Sequence, residues 1–320
     1  MRGDGGDMDS DPRPAPCSPA PVLRRDLVAA GVGDDELRRL RASGRLVRLR
    51  RGAYVGAGDL GPVERHRQTV RAAVRTLSPD AVFSHVSAAA THGIGLWRVP
   101  LDRVEVTRNR RSGARTAPSA RCHAATLAAD EITVVDGVPV TTVPRTVVDL
   151  ARALPFVVAV AVTDAALHAG AVTADELAAA VARSARRPGT PAARRVLAAA
   201  DGGADGPGET RSRLLLHSCG LPAPATQQEL RDPAGRFLGR VDFWWEQARV
   251  AGEFDGRIKY GRRLDPGGDL EEVLWREKLR EDAIRAEGVA VVRWVWADLH
   301  SAASFAPTVA RLHRALDRAA

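Results

Sequence analysis

The chain has 320 residues, 45% of them apolar, so it is long enough for two or three domains with real cores. Its net charge of +8 and isoelectric point near 10.4 favour a polyanionic partner over an acidic small substrate. Cys17, Cys122 and Cys219 are odd in number and lack CxxC spacing, and the longest apolar run, residues 154–162, is too short to span a bilayer. A disulfide framework, a cysteine zinc site and a membrane helix are therefore not expected, and a soluble cytoplasmic protein is. Residues 1–20 are rich in Gly, Asp and Pro, unlike a secretory signal, and are expected to form a disordered tail. Among 47 basic residues only Lys259 and Lys278 are lysine. Lysine presents a compact ammonium that arginine cannot imitate at a catalytic water.

Residues 21–56 form the first readable module. A short helix over 24–30 ends at Gly31, and a second starts near Asp34, a plausible N-cap, with Asp35 and Glu36 in its first turn. This helix runs to Ala42, burying Leu37 and Leu40 and exposing Arg38, Arg39 and Arg41. Gly44 ends it. Leu46 to Leu49, the turn Arg50-Arg51-Gly52 and Ala53 to Val55 then read as a two-stranded wing that also carries Arg45 and Arg48. Residues 21–55 hold nine arginines against four acids, +5. Helix, turn, basic helix and basic wing is the layout of a winged helix-turn-helix, and these seven arginines are the expected DNA contacts.

Residues 62–200 read as an α/β middle region. Helices are expected over 63–77, 84–92, 144–153, 155–167 and 173–182, a strand over 101–107, and a hairpin over 132–140 turning at Asp136-Gly137. Arg108 to Arg121 reads as a basic loop. Arg145 and Asp149, four apart on one helix, suggest an ordinary ion pair. His85 and His92 share a helix face, but no carboxylate pattern completes a metal site with them or His123, so all three read as core or surface histidines. Asp201 to Gly208, DGGADGPG, reads as a linker.

Residues 209–320 read α-β-β-β-α-β, and the stretch Gly239 to Lys259 organises the block. It is a hairpin by alternation. With Glu246 to Arg249 as the loop, 245 pairs with 250, and Val241, Phe243, Gly252 and Phe254 share a face that packs on a helix. The other face sets Asp242 opposite Glu253, with Cβ atoms roughly 5 Å apart. Two carboxylates at that separation repel. A Mg²⁺ or Mn²⁺ ion would resolve the conflict; so would pairing of the acids with Arg240, Arg249 or Arg257. Residues 206–320 carry 18 basic and 17 acidic side chains, a net of +1, which suits a domain targeted to DNA by the front of the chain.

Two resemblances add to this. The segment LVAAGVGDDELRRLRASGRLVRLRRGAYV resembles the N-terminal winged helix of AbiEi-type antitoxins, the antitoxin half of type IV toxin–antitoxin systems. The likeness continues through FSHVSAAATHGIGL, VPVTTVPRTVVDLAR and VTDAALHAG. It implies a repressor of its own promoter and a nucleotidyltransferase-type toxin as partner. Separately, GETRSRLLL, RVDFWW, GEFDGRIKY and EKLREDAIRAEGVAVVRWVWADL resemble the PD-(D/E)XK restriction-endonuclease-like fold, and more closely the relatives of very-short-patch-repair endonucleases. This implies Asp242 and Glu253 as metal-binding acids, with Glu209 lending a further carboxylate and Asp255 standing as the second acid. An E-x-K motif would need lysine at 255. The missing ammonium would come from Lys278 or Lys259, of which Lys278, on a helix beside the hairpin, is favoured.

The expected fold is thus mixed α+β (α/β), with a winged helix in front and an endonuclease-like αβββαβ block behind. The expected function is a DNA-binding antitoxin and regulator fused to a metal-dependent endonuclease. The alternatives are a repressor whose nuclease-like block only binds nucleic acid or a toxin, and a partner-binding module with incidental acids. A palindromic operator would favour a homodimer.

Overall fold

A computed structural model describes residues 20–58, 60–256 and 270–318. The tail expected over 1–20 lies, apart from Ala20, outside the described residues, as do Cys17 and Lys259. Two compact units divide the chain, Met1–Pro79 and Asp80–Ala320. Among the described residues no helix is long and apolar enough to cross a membrane.

The first unit runs β1 (Val22–Leu23), α1 (Arg24–Ala29), α2 (Asp34–Ala42), β2 (Leu46–Arg50), β3 (Ala53–Gly56) and α3 (Pro62–Val74). The strands form an antiparallel sheet in the order β1-β3-β2, so the wing is anchored to the strand that precedes the helices. Leu23, Ala53 and Ala72 of α3 form its small core, and α2 buries only Leu37. Gly33, not Asp34, is the N-cap of α2. Asp34 is instead held by Arg24, whose Nη2 donates to both its oxygens at 2.6 and 2.9 Å. Asp34, Asp35 and Glu36 all still lie in the first turn, where the helix dipole favours negative charge.

The second unit begins with β4 (Ala81–Phe83), α4 (His85–His92), β5 (Val104–Asn109), β6 (Arg115–Ala117), β7 (Ala120–Ala125), β8 (Ile132–Val135) and β9 (Val138–Thr141). These strands make one sheet, β6-β7-β5-β4-β9-β8. The basic stretch 108–121 is thus not all loop: it supplies β6 and the start of β7. An edge strand tolerates arginines because one side of it faces water. The β8–β9 turn sits on Asp136 and Gly137, φ +49° and +75°, as its Asp-Gly sequence requires. Helices α5 (Val143–Ala153), α6 (Phe156–His168), α7 (Ala174–Arg183) and α8 (Thr190–Ala199) share a core around Val147, Leu150, Val160, Leu177 and Val196. Arg145 and Asp149 are more than a surface pair: they are 2% and 1% exposed and 2.7 Å apart. Arg145 also donates to Glu131 at 2.8 Å, and Arg152 donates to Asp149 at 2.7 Å, so the buried charges are mutually satisfied.

The stretch 201–208 is tied down at Asp201, whose N–H donates to Asp164 at 2.7 Å; Asp164 also accepts from Thr210 and Arg213. Beyond it come α9 (Pro207–Ser218), β10 (Ala225–Arg231), β11 (Phe237–Trp245), β12 (Val250–Asp255), α10 (Leu270–Ala286), β13 (Ala290–Val295) and α11 (Ala302–Asp317). This is the αβββαβ order followed by a closing helix. The sheet runs β10-β11-β12-β13, with β12 and β13 parallel. Phe243 pairs with Gly252 and Trp245 with Val250, the register that the polar four-residue loop predicts. One sheet face packs Phe243, Trp294 and Phe305 with Leu216 of α9; the other packs Ala251 and Val289 with Ile284 of α10.

Val241 joins the α10 side, so Val241 and Phe243 do not share a face as alternation predicts. The cause lies between them. Neither neighbouring strand pairs with Asp242 in its ladder, Gln227 beside it has φ +52°, and the N–H of Phe254 donates to Asp242 Oδ2 at 2.7 Å. A side chain replaces a backbone acceptor there, and the strand turns over.

Candidate nucleic-acid interface and acidic cleft

In the first unit α2 is polar on all but one stripe, because a single leucine suffices to seat so short a helix. Arg38, Arg39 and Arg41 are exposed along it, and Arg45, Arg48 and Arg51 are exposed at the wing. Arg38 pairs with Asp35 one turn back. Arg50 differs: it is half-buried, and burial holds its guanidinium below the ordinary arginine value. Arg65 of α3 donates to the Arg48 carbonyl at 2.6 Å and steadies the wing. Exposed guanidinium groups on a helix and a neighbouring hairpin suit phosphate oxygens and guanine edges.

In the second unit Asp242, Glu253 and Asp255 line one cleft of about 400 Å³, together with Arg240, Glu277, Arg280 and Arg293. Glu253, 8% exposed, is fully engaged. Arg280 Nη2 donates to its Oε1 at 2.8 Å and Arg293 Nε to its Oε2 at 2.7 Å. Both arginines also reach Glu277, at 2.7 and 2.8 Å, and Arg293 reaches Glu281 at 3.0 Å. The Glu277 hydrogen bond, reinforced by Glu253, raises the Arg280 pKa above the ordinary value. Glu253 thus pairs with arginines, though not with Arg240 or Arg249; Arg257 lies outside the described residues.

Asp242 is in the opposite condition. Gln227 Nε2 donates to Glu209 Oε2 at 2.7 Å and to Asp242 Oδ1 at 3.3 Å, drawing the two acids to one amide. Burial first, then the Asp242 charge, push Glu209 up to about 7. Burial, with Glu253 nearby, raises Asp242 as well. Among the described residues Glu209 and Asp242 are held by an amide and a backbone N–H and by no cation, and as hard oxygen donors they fit a divalent cation such as Mg²⁺. Glu253 would fit the same ion only on release from Arg280 and Arg293.

The structure does not bring Lys278 to the acids. It is exposed, with Nζ 5.8 Å from the Trp275 ring centroid. On a helix of 3.6 residues per turn Lys278 lies roughly 200° around from Arg280, and Arg280 is the side chain that faces the sheet. Leu279, next to Lys278 on the same helix, is 51% exposed as well. Asp255 lines the cleft at the end of β12. Sequence reasoning missed Gln227, Arg280 and Arg293. For Arg293 a signal existed: a lone arginine inside AVVRWV, which the parallel register sets beside Glu253. For Gln227 there is none, since its role depends on an irregular backbone.

Residues 21–55 match the family model described as a transcriptional regulator, AbiEi antitoxin. Two proteins of Mycobacterium tuberculosis are each 33% identical to the chain over 174 residues: Uncharacterized protein MT2308 (strain CDC 1551 / Oshkosh) and Uncharacterized protein Rv2248 (strain ATCC 25618 / H37Rv). The matched stretch is 54% of this chain, and the chain spans 60% of the length of each relative. A crystal structure of the RV2827C protein from Mycobacterium tuberculosis is similar with a TM-score of 0.37 and 17% identity, over 67% of this chain and 84% of that one.

Proposed function

We propose that the chain is a DNA-binding transcriptional regulator of the AbiEi antitoxin type, reading DNA through α2 and the β2–β3 wing. The observation that carries this is a coincidence: the segment matching the antitoxin regulators, residues 21–55, is the segment that exposes Arg38, Arg39, Arg41, Arg45, Arg48 and Arg51. Helix α2 enters the major groove, its arginines meeting phosphates and base edges, and the wing arginines hold the flanking backbone. A nucleotidyltransferase-type toxin is the partner this reading implies, and a palindromic operator would be read by a homodimer. The test is a mobility shift on a fragment of the chain's own promoter. Binding that weakens with salt and is lost in the Arg38→Ala, Arg39→Ala, Arg41→Ala triple variant supports the proposal; a wild-type chain that leaves the fragment unshifted overturns it.

A second reading, metal-dependent endonuclease activity in the αβββαβ block, is favoured by the Glu209–Gln227–Asp242 arrangement. Glu209 and Asp242 would hold Mg²⁺ or Mn²⁺, which when bound supplies an activated water and neutralises phosphodiester charge. The chain's own part is positional: Gln227 fixes both carboxylates, Phe254 N–H orients Asp242, and Arg280 and Arg293, bonded to Glu253, line the same cleft as Asp242, where a phosphate would meet them. Plasmid nicking in Mg²⁺ or Mn²⁺, absent from the Asp242→Ala and Glu209→Gln variants, would support it. Absence of nicking by a chain that still shifts its promoter would leave the regulator alone.

A further inference from the structure

One group of metal-ligating side chains lies away from the cleft, in the middle of the chain. His85 opens α4, Glu105 is on β5 and His123 on β7. The parallel β5–β7 register sets Glu105 beside Arg121 and Thr107 beside His123, so Glu105 and His123 are diagonal neighbours on one face. His123 Nε2 and Glu105 Oε2 are 2.7 Å apart. The same oxygen lies 3.9 Å from His85 Nδ1, too long for a hydrogen bond, and the two imidazoles stack at 3.8 Å between centroids. The candidate ligand atoms all fall within 4.8 Å of one another.

The surroundings hold this group in place from several sides. Ser84 Oγ meets His85 Nδ1 at 3.0 Å and accepts from Thr107 at 2.8 Å. The backbone N–H of Glu105 donates to Ser87 at 2.8 Å, and the N–H of Ser84 donates to the Glu105 carbonyl at 3.0 Å. His85 has φ +49°, a left-handed conformation costing on the order of 1–3 kcal/mol for a side chain of its kind. From that backbone its ring stacks on His123 of β7. Simple core filling would ask for none of this.

We propose that His85, Glu105 and His123 bind a divalent transition cation of the zinc class. Two imidazoles and one carboxylate are the donor set such ions take, whereas Mg²⁺ and Ca²⁺ prefer oxygen alone. The cation replaces the proton now shared by His123 and Glu105. Donor atoms around a tetrahedral Zn²⁺, with bonds of about 2.0–2.1 Å, lie about 3.3 Å apart. The 2.7 Å contact therefore opens and the 3.9 Å gap closes by similar small amounts, the rings tilting out of their stack as their lone pairs converge. Three protein ligands leave a position open. His85 and Glu105 line a cleft of about 200 Å³ together with Asp102, Arg103 and Arg121, where a water or an anion on that position would have room. Sequence spacing concealed the site because the completing carboxylate comes from a strand, not from the helix of His85.

The test uses the full chain without a histidine tag, stripped with chelator and titrated calorimetrically with ZnCl₂ in excess Mg²⁺, with Co²⁺ as a spectroscopic probe. A single equivalent of Zn²⁺ should bind, and Co²⁺ should give the visible bands of a four-coordinate site. His123→Ala and Glu105→Gln should each weaken Zn²⁺ binding by about 100-fold or more, since even outer partners of a ligand are worth 10–100-fold. His92→Ala is the control, because His92 Nε2 is engaged with the Thr141 carbonyl at 2.8 Å; Asp242→Asn keeps the acidic cleft out of the count. Circular dichroism verifies folding of each variant. If one is unfolded, the wild-type stoichiometry and Co²⁺ bands decide alone. Absence of stoichiometric Zn²⁺, absence of those bands, or equal binding by folded His123→Ala overturns the proposal and leaves a hydrogen-bonded histidine pair.

Discussion

Glu209 keeps its proton to about pH 7 because it is buried beside Asp242 with, among the described residues, an amide and no cation for company. Its folded pKa is raised above the ordinary 4.5, so the folded state binds the proton more tightly than the unfolded chain. The stabilisation this gives is complete below about pH 4.5 and is lost as pH rises through about 7. Its size is about 1–2 kcal/mol, the full shift being discounted for solvent at a part-exposed group. Urea midpoints in chelator should therefore fall between pH 5 and pH 8 in the wild type and fall less in Glu209→Gln; parallel curves would exclude Glu209 as the source. Glu253 answers to different physics. Its loss leaves Arg280 and Arg293 each short of an anion, although both retain Glu277. Glu253→Ala should cost about 2–3 kcal/mol, below the 3–5 of a wholly buried pair. A denaturant midpoint unchanged from wild type would mean the network contributes nothing. The same variant is consequently a poor probe of cleavage, and Asp242 is the better one.

Elements in this fold approach most closely where glycine allows it. A Cβ on Gly208 of α9 would stand 1.9 Å from the Phe254 ring of β12. Alanine is the better helix former by roughly 1 kcal/mol, so Gly208→Ala should stabilise if only propensity mattered. Overpacking against a ring already held by Trp296 should outweigh that and leave a net cost of about 1–3 kcal/mol, read as a thermal midpoint lowered by several degrees. A raised midpoint would show that Phe254 yields freely. Much at this scale was legible from residues alone. The αβββαβ order and the 245–250 register follow from period-two alternation around a polar loop, and the Asp-Gly turn at 136–137 from its need for positive φ. What escaped depends on tertiary contact. Alternation carried through Asp242 put Val241 on the wrong side, because the strand irregularity there is made by a side chain. Favouring Lys278 for its helix beside the hairpin left open which face of α10 turns inward, and Arg280 holds that face. The arginines at 115 and 121 disguised the edge strand β6 and the start of its neighbour β7 as a loop, and α8, opening at Thr190-Pro191, was not foreseen.

Over the whole molecule the positive charge is uneven: residues 21–55 carry nine arginines against four acids, while 206–320 carry 18 basic against 17 acidic side chains. If the front of the chain supplies the DNA contacts, the salt dependence of binding must reside there too, since each neutralised phosphate releases counterions. Arg45, Arg48 and Arg51 are exposed at the wing, where an arginine meets backbone more readily than bases. Changing all three to alanine should weaken binding to every sequence alike. It should also flatten the plot of log affinity against log salt by up to about 2.7, at 0.9 per phosphate on B-form DNA. Changing the exposed Arg194, Arg314 and Arg318 removes the same charge from the second unit and should leave the slope nearly unaltered. Fluorescence anisotropy of a labelled promoter duplex across a salt series measures both. Equal flattening by the two triplets would mean that binding follows net charge and not this surface, and the assignment of the wing to DNA would fall with it.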